Sequence, residues 1–248
     1  RGTEPFAYRV ETGADWLTAD APAGEVGQQT RVTLRADWNA APTGRQRVPV
    51  TISGAGRTVT VEVPVFNPSP AGLAGFVESR GAVAIEAPHY ASAVGRGGIE
   101  WLTIPGLGRT LSAVTPTPVT APSQTPGGDS PHLEYRLTLH EAGTVEVTAL
   151  FSPSFDTQGP EGLRYAVSFD DAPPQILTMH DEGSMSPDTY HADWSRMVSD
   201  NAQRSTSTHR IDTPGEHVLR FWMVDPGLVL QKLVVATEDL PASYLGPP

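Results

Sequence analysis

Cysteine is absent from all 248 residues. That single absence excludes disulfide frameworks, thiolate metal sites and cysteine nucleophiles together. Lysine is nearly absent too. Of the 17 cationic side chains only Lys232 is a lysine, and 28 acidic residues bring the formal charge to −11. So acidic a chain lacks the clustered cations that nucleic acid or an anionic membrane requires, and neither is expected as a partner. No apolar run approaches the roughly 20 residues that cross a bilayer. The opening Arg1-Gly2-Thr3-Glu4-Pro5 has no apolar core and no cleavage pattern, so no secretory leader is expected there. What is abundant is glycine and proline, 24 of each, which suits many short strands joined by turns.

Two textures follow one another along the chain. Residues 5–66 carry short alternating runs, Arg31-Val32-Thr33-Leu34-Arg35, Val48-Pro49-Val50-Thr51-Ile52 and Thr58-Val59-Thr60-Val61-Glu62-Val63. Period-2 alternation places Val32, Leu34, Val59, Val61 and Val63 on one buried face, with threonine or charge opposite. Turn clusters such as Asn39 to Gly44 and Ser53 to Gly56 separate the runs, and the whole reads as a small immunoglobulin-like β-sandwich over 1–70. Asn67-Pro68-Ser69-Pro70 cannot continue a central strand and marks the boundary. Across 71–248 the strands lengthen, and they are expected at 83–87, 133–139, 144–149, 163–169, 215–224 and 228–235. Thr115 to Pro131 reads as a long ordered surface loop, a kind of segment that often carries function. One helix is predicted from Pro187-Asp188, with Tyr190, Trp194, Met197 and Val198 sharing a face.

Catalytic patterns are missing. The acyl-transfer elbow G-x-S-x-G does not occur, and Gly183-Ser184-Met185-Ser186 lacks both the second glycine and the preceding apolar strand. Seven histidines, at 89, 132, 140, 180, 191, 209 and 217, form no H-E-x-x-H or H-x-H ligand pair. Gly95-Arg96-Gly97-Gly98 opens no helix, so no dinucleotide or phosphate loop is present. Glycoside hydrolysis needs two carboxylates facing one sugar. The adjacent pairs Asp170-Asp171 and Asp181-Glu182 diverge on a strand or turn and read as solvated charges.

What remains is a set of aromatic and polar residues in expected loops. Pyranose rings stack on tryptophan and tyrosine while Asn, Asp, Arg and His hydrogen-bond the hydroxyls. The candidates are His89, Tyr90, Trp101, Arg109, His180, Tyr190, Trp194 and Asn201. Each also has a structural reading. Alternation in Gly98 to Pro105 can bury Trp101, Trp194 belongs to the apolar stripe of the helix, and Arg109 can pair with an acid at a turn. Trp222, within Arg220-Phe221-Trp222-Met223-Val224, reads as sheet packing.

Several runs resemble the C-terminal domain of glycoside hydrolase family 115. They are Phe76-Val77-Glu78-Ser79-Arg80-Gly81, Ile85-Glu86-Ala87-Pro88-His89-Tyr90 and Ile104-Pro105-Gly106-Leu107-Gly108-Arg109-Thr110. Further runs are Gly162 to Asp171, Trp222-Met223-Val224-Asp225-Pro226-Gly227 and the tail Ser243-Tyr244-Leu245-Gly246-Pro247-Pro248. The resemblance spans about 74–248 and implies a galactose-binding-like jelly-roll β-sandwich. It also implies a xylan α-1,2-glucuronidase whose catalytic (β/α)₈ barrel lies upstream, and this chain has no room for that barrel. The barrel and a second copy of the chain are the implied protein partners, xylan or glucuronoxylan the implied sugar, and a secreted or periplasmic setting follows from that substrate. No catalytic residue is carried over.

The domain is similar as well to carbohydrate-binding modules of families 6 and 35. Those open with an I-E-A-E strand and carry a late aspartate, both serving a structural calcium. Here Glu86 matches the first acid, Pro88 replaces the second, and Gln231 stands at the expected aspartate. With one acid left of three, no calcium and no other cofactor is expected. Three functional readings stay open at this point. They are a non-catalytic xylan-binding ancillary module, in which Arg109 or Arg164 would meet the uronate, a structural domain packed on the barrel or a dimer partner, and an independent hydrolase.

Overall fold

In the computed structural model the described residues are 4–68, 72–155, 162–180, 190–241 and 243, of which 190–193 are described by backbone only. The acidic pair Asp181-Glu182, the run Gly183 to Ser186, Ser69-Pro70 of the boundary, the Tyr190 side chain and the tail motif beyond Ser243 lie outside the described residues. The chain divides into two units, Arg1–Ala71 and Gly72–Pro248, and among the described residues one short helix interrupts an otherwise all-β fold.

The first unit contains β1 (Phe6–Thr12), β2 (Leu17–Ala19), β3 (Ala23–Val26), β4 (Leu34–Ala36), β5 (Gly44–Gly54) and β6 (Arg57–Asn67). A four-stranded sheet, ordered β3-β1-β5-β6, accompanies a two-stranded β2-β4 ladder. Ala55 and Gly56 close the β5–β6 hairpin with φ of 49° and 72°, the pair of positive values that a tight two-residue hairpin requires. Tyr8, Val10, Leu17, Val48 and Val50 form the core, with Val32, Leu34 and Val63 packed against it. The alternation is correct in register but overstates burial. Val59 is 57% exposed and Val61 46% exposed, because β6 is the edge strand and the small second layer does not cover that end of the hairpin. Val61→Thr is therefore expected to change stability in urea by no more than about 0.5 kcal/mol. A loss near 2 kcal/mol would show that face to be covered.

The second unit begins with β7 (Phe76–Val77), β8 (Ala82–Glu86), β9 (Ser92–Val94), β10 (Glu100–Pro105), β11 (Ser112–Thr117) and β12 (His132–Leu139). It continues with β13 (Gly143–Phe151), β14 (Arg164–Phe169), β15 (Gln175–Thr178), α1 (Tyr190–Asp200), β16 (Gln203–Ile211), β17 (Gly215–Met223) and β18 (Leu230–Ala236). One sheet runs β10-β11-β18-β13-β16 with β8 also on β18; the other runs β15-β14-β17-β12-β7 with β9 also on β12. All pairs but β7–β12 are antiparallel in this unit. Alternation on the strands sends Leu133, Tyr135, Leu137, Val145, Val147, Tyr165, Val167, Leu219, Phe221, Leu233 and Val235 into one core between the sheets.

Two expectations need correction. Thr115 to Pro131 is not loop throughout: Ser112–Thr117 is β11, paired along its length with β10, and the Thr115 hydroxyl is buried and donates to the Leu228 carbonyl at 2.8 Å. Pro116 is tolerated because β11 meets β18 only at Val114. The helix does form, but Val198 is 51% exposed while Met197 is buried, so the stripe follows the i+3 position from Trp194. Asn201 ends the helix with a φ of 50°, its N–H bonded to the Val198 carbonyl at 3.1 Å. Asparagine tolerates that left-handed geometry, as a helix C-cap needs.

Candidate functional site

The seven sequence candidates whose side chains are described, all but Tyr190, do not converge on one place. Trp101 is half-buried in β10, its Nε1–H donates to the Val94 carbonyl at 3.0 Å, and its ring meets Phe221 edge-on at 6.2 Å. Tyr90 packs on the same core. His89 is exposed and stacked on Phe76 at 6.4 Å. Arg109 and Asn201 come together through Gln231, whose Oε1 accepts from the Arg109 N–H at 3.2 Å while its Nε2 donates to the Asn201 carbonyl at 2.8 Å. Trp194 stacks on Phe155 at 4.2 Å, and His180 bonds the neighbouring Ser154 carbonyl at 2.9 Å. Arg164, considered for a uronate, is held by Asp225 through Nε at 2.9 Å and Nη2 at 3.2 Å.

The outer face of the β14-β17-β12-β9 sheet carries a different constellation. The same alternation that buries Leu133 and Tyr135 turns His132 and Glu134 outward, and on β17 it turns out Arg220 and Trp222. Strand register then lines them up: Val94, His132, Trp222 and Ala166 form one row, and Ser92, Glu134, Arg220 and Ser168 the next. The loop after β11 lies over this face. Its Gln124 N–H donates to the Val224 carbonyl at 2.7 Å and the Ser123 hydroxyl donates to Asp225 Oδ1 at 2.6 Å. Between the Gly127–Asp129 stretch of that loop and the Asp170–Pro174 turn lies a cleft of about 510 Å³, floored by His132, Glu134, Arg220 and Trp222.

Every floor residue is held in place. Arg220 Nε donates to Glu134 Oε1 at 2.8 Å, and its Nη1 donates to the Asp170 carbonyl. That arginine, through hydrogen bond and charge, outweighs partial burial and holds the Glu134 carboxyl below the usual carboxylate range. His132 Nδ1 lies 2.7 Å from the Ser130 carbonyl and so donates to it, which leaves Nε2 facing Glu134 Oε1 at 3.5 Å. The imidazole lies over Trp222 at 4.3 Å, and the Trp222 indole donates to Ser168 at 2.9 Å. Asp170 is exposed on its turn, as a solvated charge is, and is anchored as well: its Oδ1 accepts from the Val218 N–H at 2.9 Å and its Oδ2 from His217 Nδ1 at 2.8 Å. Asp171 beside it is exposed.

This is a preorganised polar floor with loop walls, suited to hydrogen-bonding a hydroxyl-rich ligand. A glycosidase acid needs a raised pKa, and Glu134 has a lowered one. The sequence reading missed His132, Glu134 and Arg220, and took Trp222 for packing, which its 4% exposure supports.

The second unit is thus a two-sheet sandwich of the jelly-roll type, with a polar cleft on one sheet face. Residues 75–248 match the glycosyl hydrolase family 115 C-terminal domain, and the chain belongs to that family. None of the curated proteins matches the sequence. Among solved structures, the family 115 4-O-methyl-α-glucuronidase BtGH115A, with specificity for decorated arabinogalactans, is 17% identical with a TM-score of 0.48. That match covers 65% of this chain and 18% of BtGH115A, so the chain spans a small part of that enzyme. The C-terminal family 6 carbohydrate-binding module of the laminarinase LamC from Zobellia galactanivorans is 11% identical over 62% of this chain and 98% of the module, with a TM-score of 0.40. A family 35 carbohydrate-binding module from Clostridium thermocellum is 10% identical over 63% and 98%, with a TM-score of 0.39. No helix among the described residues is long and apolar enough to cross a membrane.

Proposed function

We propose that this chain is a non-catalytic, carbohydrate-binding ancillary region of a xylan α-1,2-glucuronidase, and that it holds the enzyme on xylan or (4-O-methyl-)glucuronoxylan outside the cell or in the periplasm. Family membership supports the enzyme context. The observation that carries the binding reading is the row of His132, Glu134, Arg220 and Trp222 under two loop walls. Four carboxylates, Asp129, Glu134, Asp170 and Asp171, line the cleft against Arg220, whose guanidinium is already held by Glu134 and Asp170. Such a lining favours neutral xylose units over the uronate itself. A weak site suffices, because tethering raises the local substrate concentration of the attached barrel.

The test is a calorimetric titration of the chain with xylo-oligosaccharides, bare and 4-O-methyl-glucuronosylated. Saturable heat with both is expected, and Arg220→Ala should weaken binding roughly ten-fold or more, as for one charge-assisted hydrogen bond. A flat response from the folded chain would overturn the reading. It would favour the structural role, packing on the catalytic barrel or pairing of two copies, which the exposed Ile52, Val59 and Val61 of the first unit also support.

A further inference from the structure

The sole lysine of the chain is buried, and its position answers the question that Glu86 raises. Lys232 on β18 pairs in register with Glu86 on β8, and its Nζ lies 2.9 Å from Glu86 Oε1, the two side chains 9% and 19% exposed. The Thr110 hydroxyl donates to the same oxygen at 2.5 Å. Next along β18, Gln231 is 3% exposed. Its amide accepts from the Arg109 N–H and donates both to the Ser152 hydroxyl at 3.0 Å and to the Asn201 carbonyl at 2.8 Å. Gly108 passes so close that a Cβ there would sit 3.3 Å from Gln231 Oε1.

These groups do not fit a calcium ion. Calcium takes roughly six to eight oxygens, with carboxylates dominating its affinity. Here one carboxylate is present, an ammonium stands against it, and the Gln231 amide nitrogen offers hydrogens rather than lone pairs. No group of three or more His, Cys, Asp or Glu that could hold a metal occurs among the described residues. The cross-links nonetheless join several elements: Lys232 and Thr110 meet on Glu86 of β8, and Gln231 ties β18 to the β10–β11 turn, the end of β13 and the helix C-cap. We infer that the Lys232 ammonium, set against Glu86, supplies here the positive charge that a structural cation would, tying β18 to β8 without a metal, while Thr110 on Glu86 and Arg109 on Gln231 hold the β10–β11 turn to the same pair of strands. This stands independently of sugar binding.

The experiment is thermal unfolding of the whole chain, monitored by near-ultraviolet circular dichroism, in millimolar calcium chloride and in EDTA. The melting temperature is expected to be the same in both. Lys232→Met, which removes the ammonium paired with the partly buried Glu86, should lower it by roughly 5–10 °C, and Lys232→Arg should retain most of the wild-type stability. A fall in the wild-type melting temperature on EDTA overturns the inference, as does a Lys232→Met variant that melts like the wild type. If the methionine variant does not fold, the wild-type calcium and EDTA melts decide alone.

Discussion

Asp225→Ala is expected to destabilise the second unit by about 3 kcal/mol, read from urea denaturation at neutral pH. The Asp225 side chain is fully buried, and both of its oxygens are occupied: Oδ2 accepts from the Arg164 backbone N–H and from Nε, each at 2.9 Å, and Oδ1 from Ser123 and from Nη2. Burial alone pushes its carboxyl up. The Arg164 guanidinium, the Ser123 hydroxyl and the Arg164 N–H together outweigh burial and hold it below the ordinary value of 3.8. A carboxyl with a depressed folded-state pKa contributes stability that is complete above its unfolded value and is lost as pH falls through the folded one. The gap between wild type and Asp225→Ala should therefore stay constant from neutral pH down to about 5 and narrow below about 4. A gap that widens on acidification would mean that Asp225 is protonated in the native state.

The second large effect belongs to Phe221→Ala, with an expected cost of about 3–5 kcal/mol and a melting temperature lower by roughly 10 °C. Phe221 is 1% exposed, with Trp101 edge-on at 6.2 Å, Phe151 at 6.0 Å and Tyr165 stacked at 5.5 Å. It also sits between Arg220 and Trp222, so the β17 backbone that positions the cleft floor is set by this ring's packing. The proposed sugar binding should fall in proportion to the unfolded fraction. Full binding with an unchanged melting temperature would show that the aromatic cluster does not hold β17.

These two residues also show where the sequence was readable. Alternation of large apolar residues made β12, β13, β14, β17 and β18 legible, because their inner faces fill one core. Strand β16 left no such trace. Its inward positions are Gln203, Ser205 and Ser207, 7%, 6% and 4% exposed, and their burial is compensated by hydrogen bonds such as Ser205 to the Thr178 carbonyl at 2.8 Å. A period-2 pattern of hydroxyls carries no hydropathy signal. The cleft floor was hidden for another reason. Glu134 was a plain outward position of the expected strand 133–139 and His132 lay just before it, and only the register of β12 against β17 sets them beside Arg220 and Trp222, almost ninety residues later. The loop candidates were read from composition, which registers residue type but not direction. Hence Trp101 proved to face the core, and Asn201 to cap a helix.

The loop over the sheet divides its labour along its length. Ser123 and Gln124 fasten it to Asp225 and Val224, while Gly127 to Asp129, a few residues on, form the cleft wall. Anchoring to the sheet and lining of the cleft thus fall on separate residues of one segment. Gly127 and Gly128 hold φ of 125° and 59°, geometries that keep them glycine, so Asp129 is the wall position of this cysteine-free sandwich whose side chain can be exchanged without rebuilding the loop.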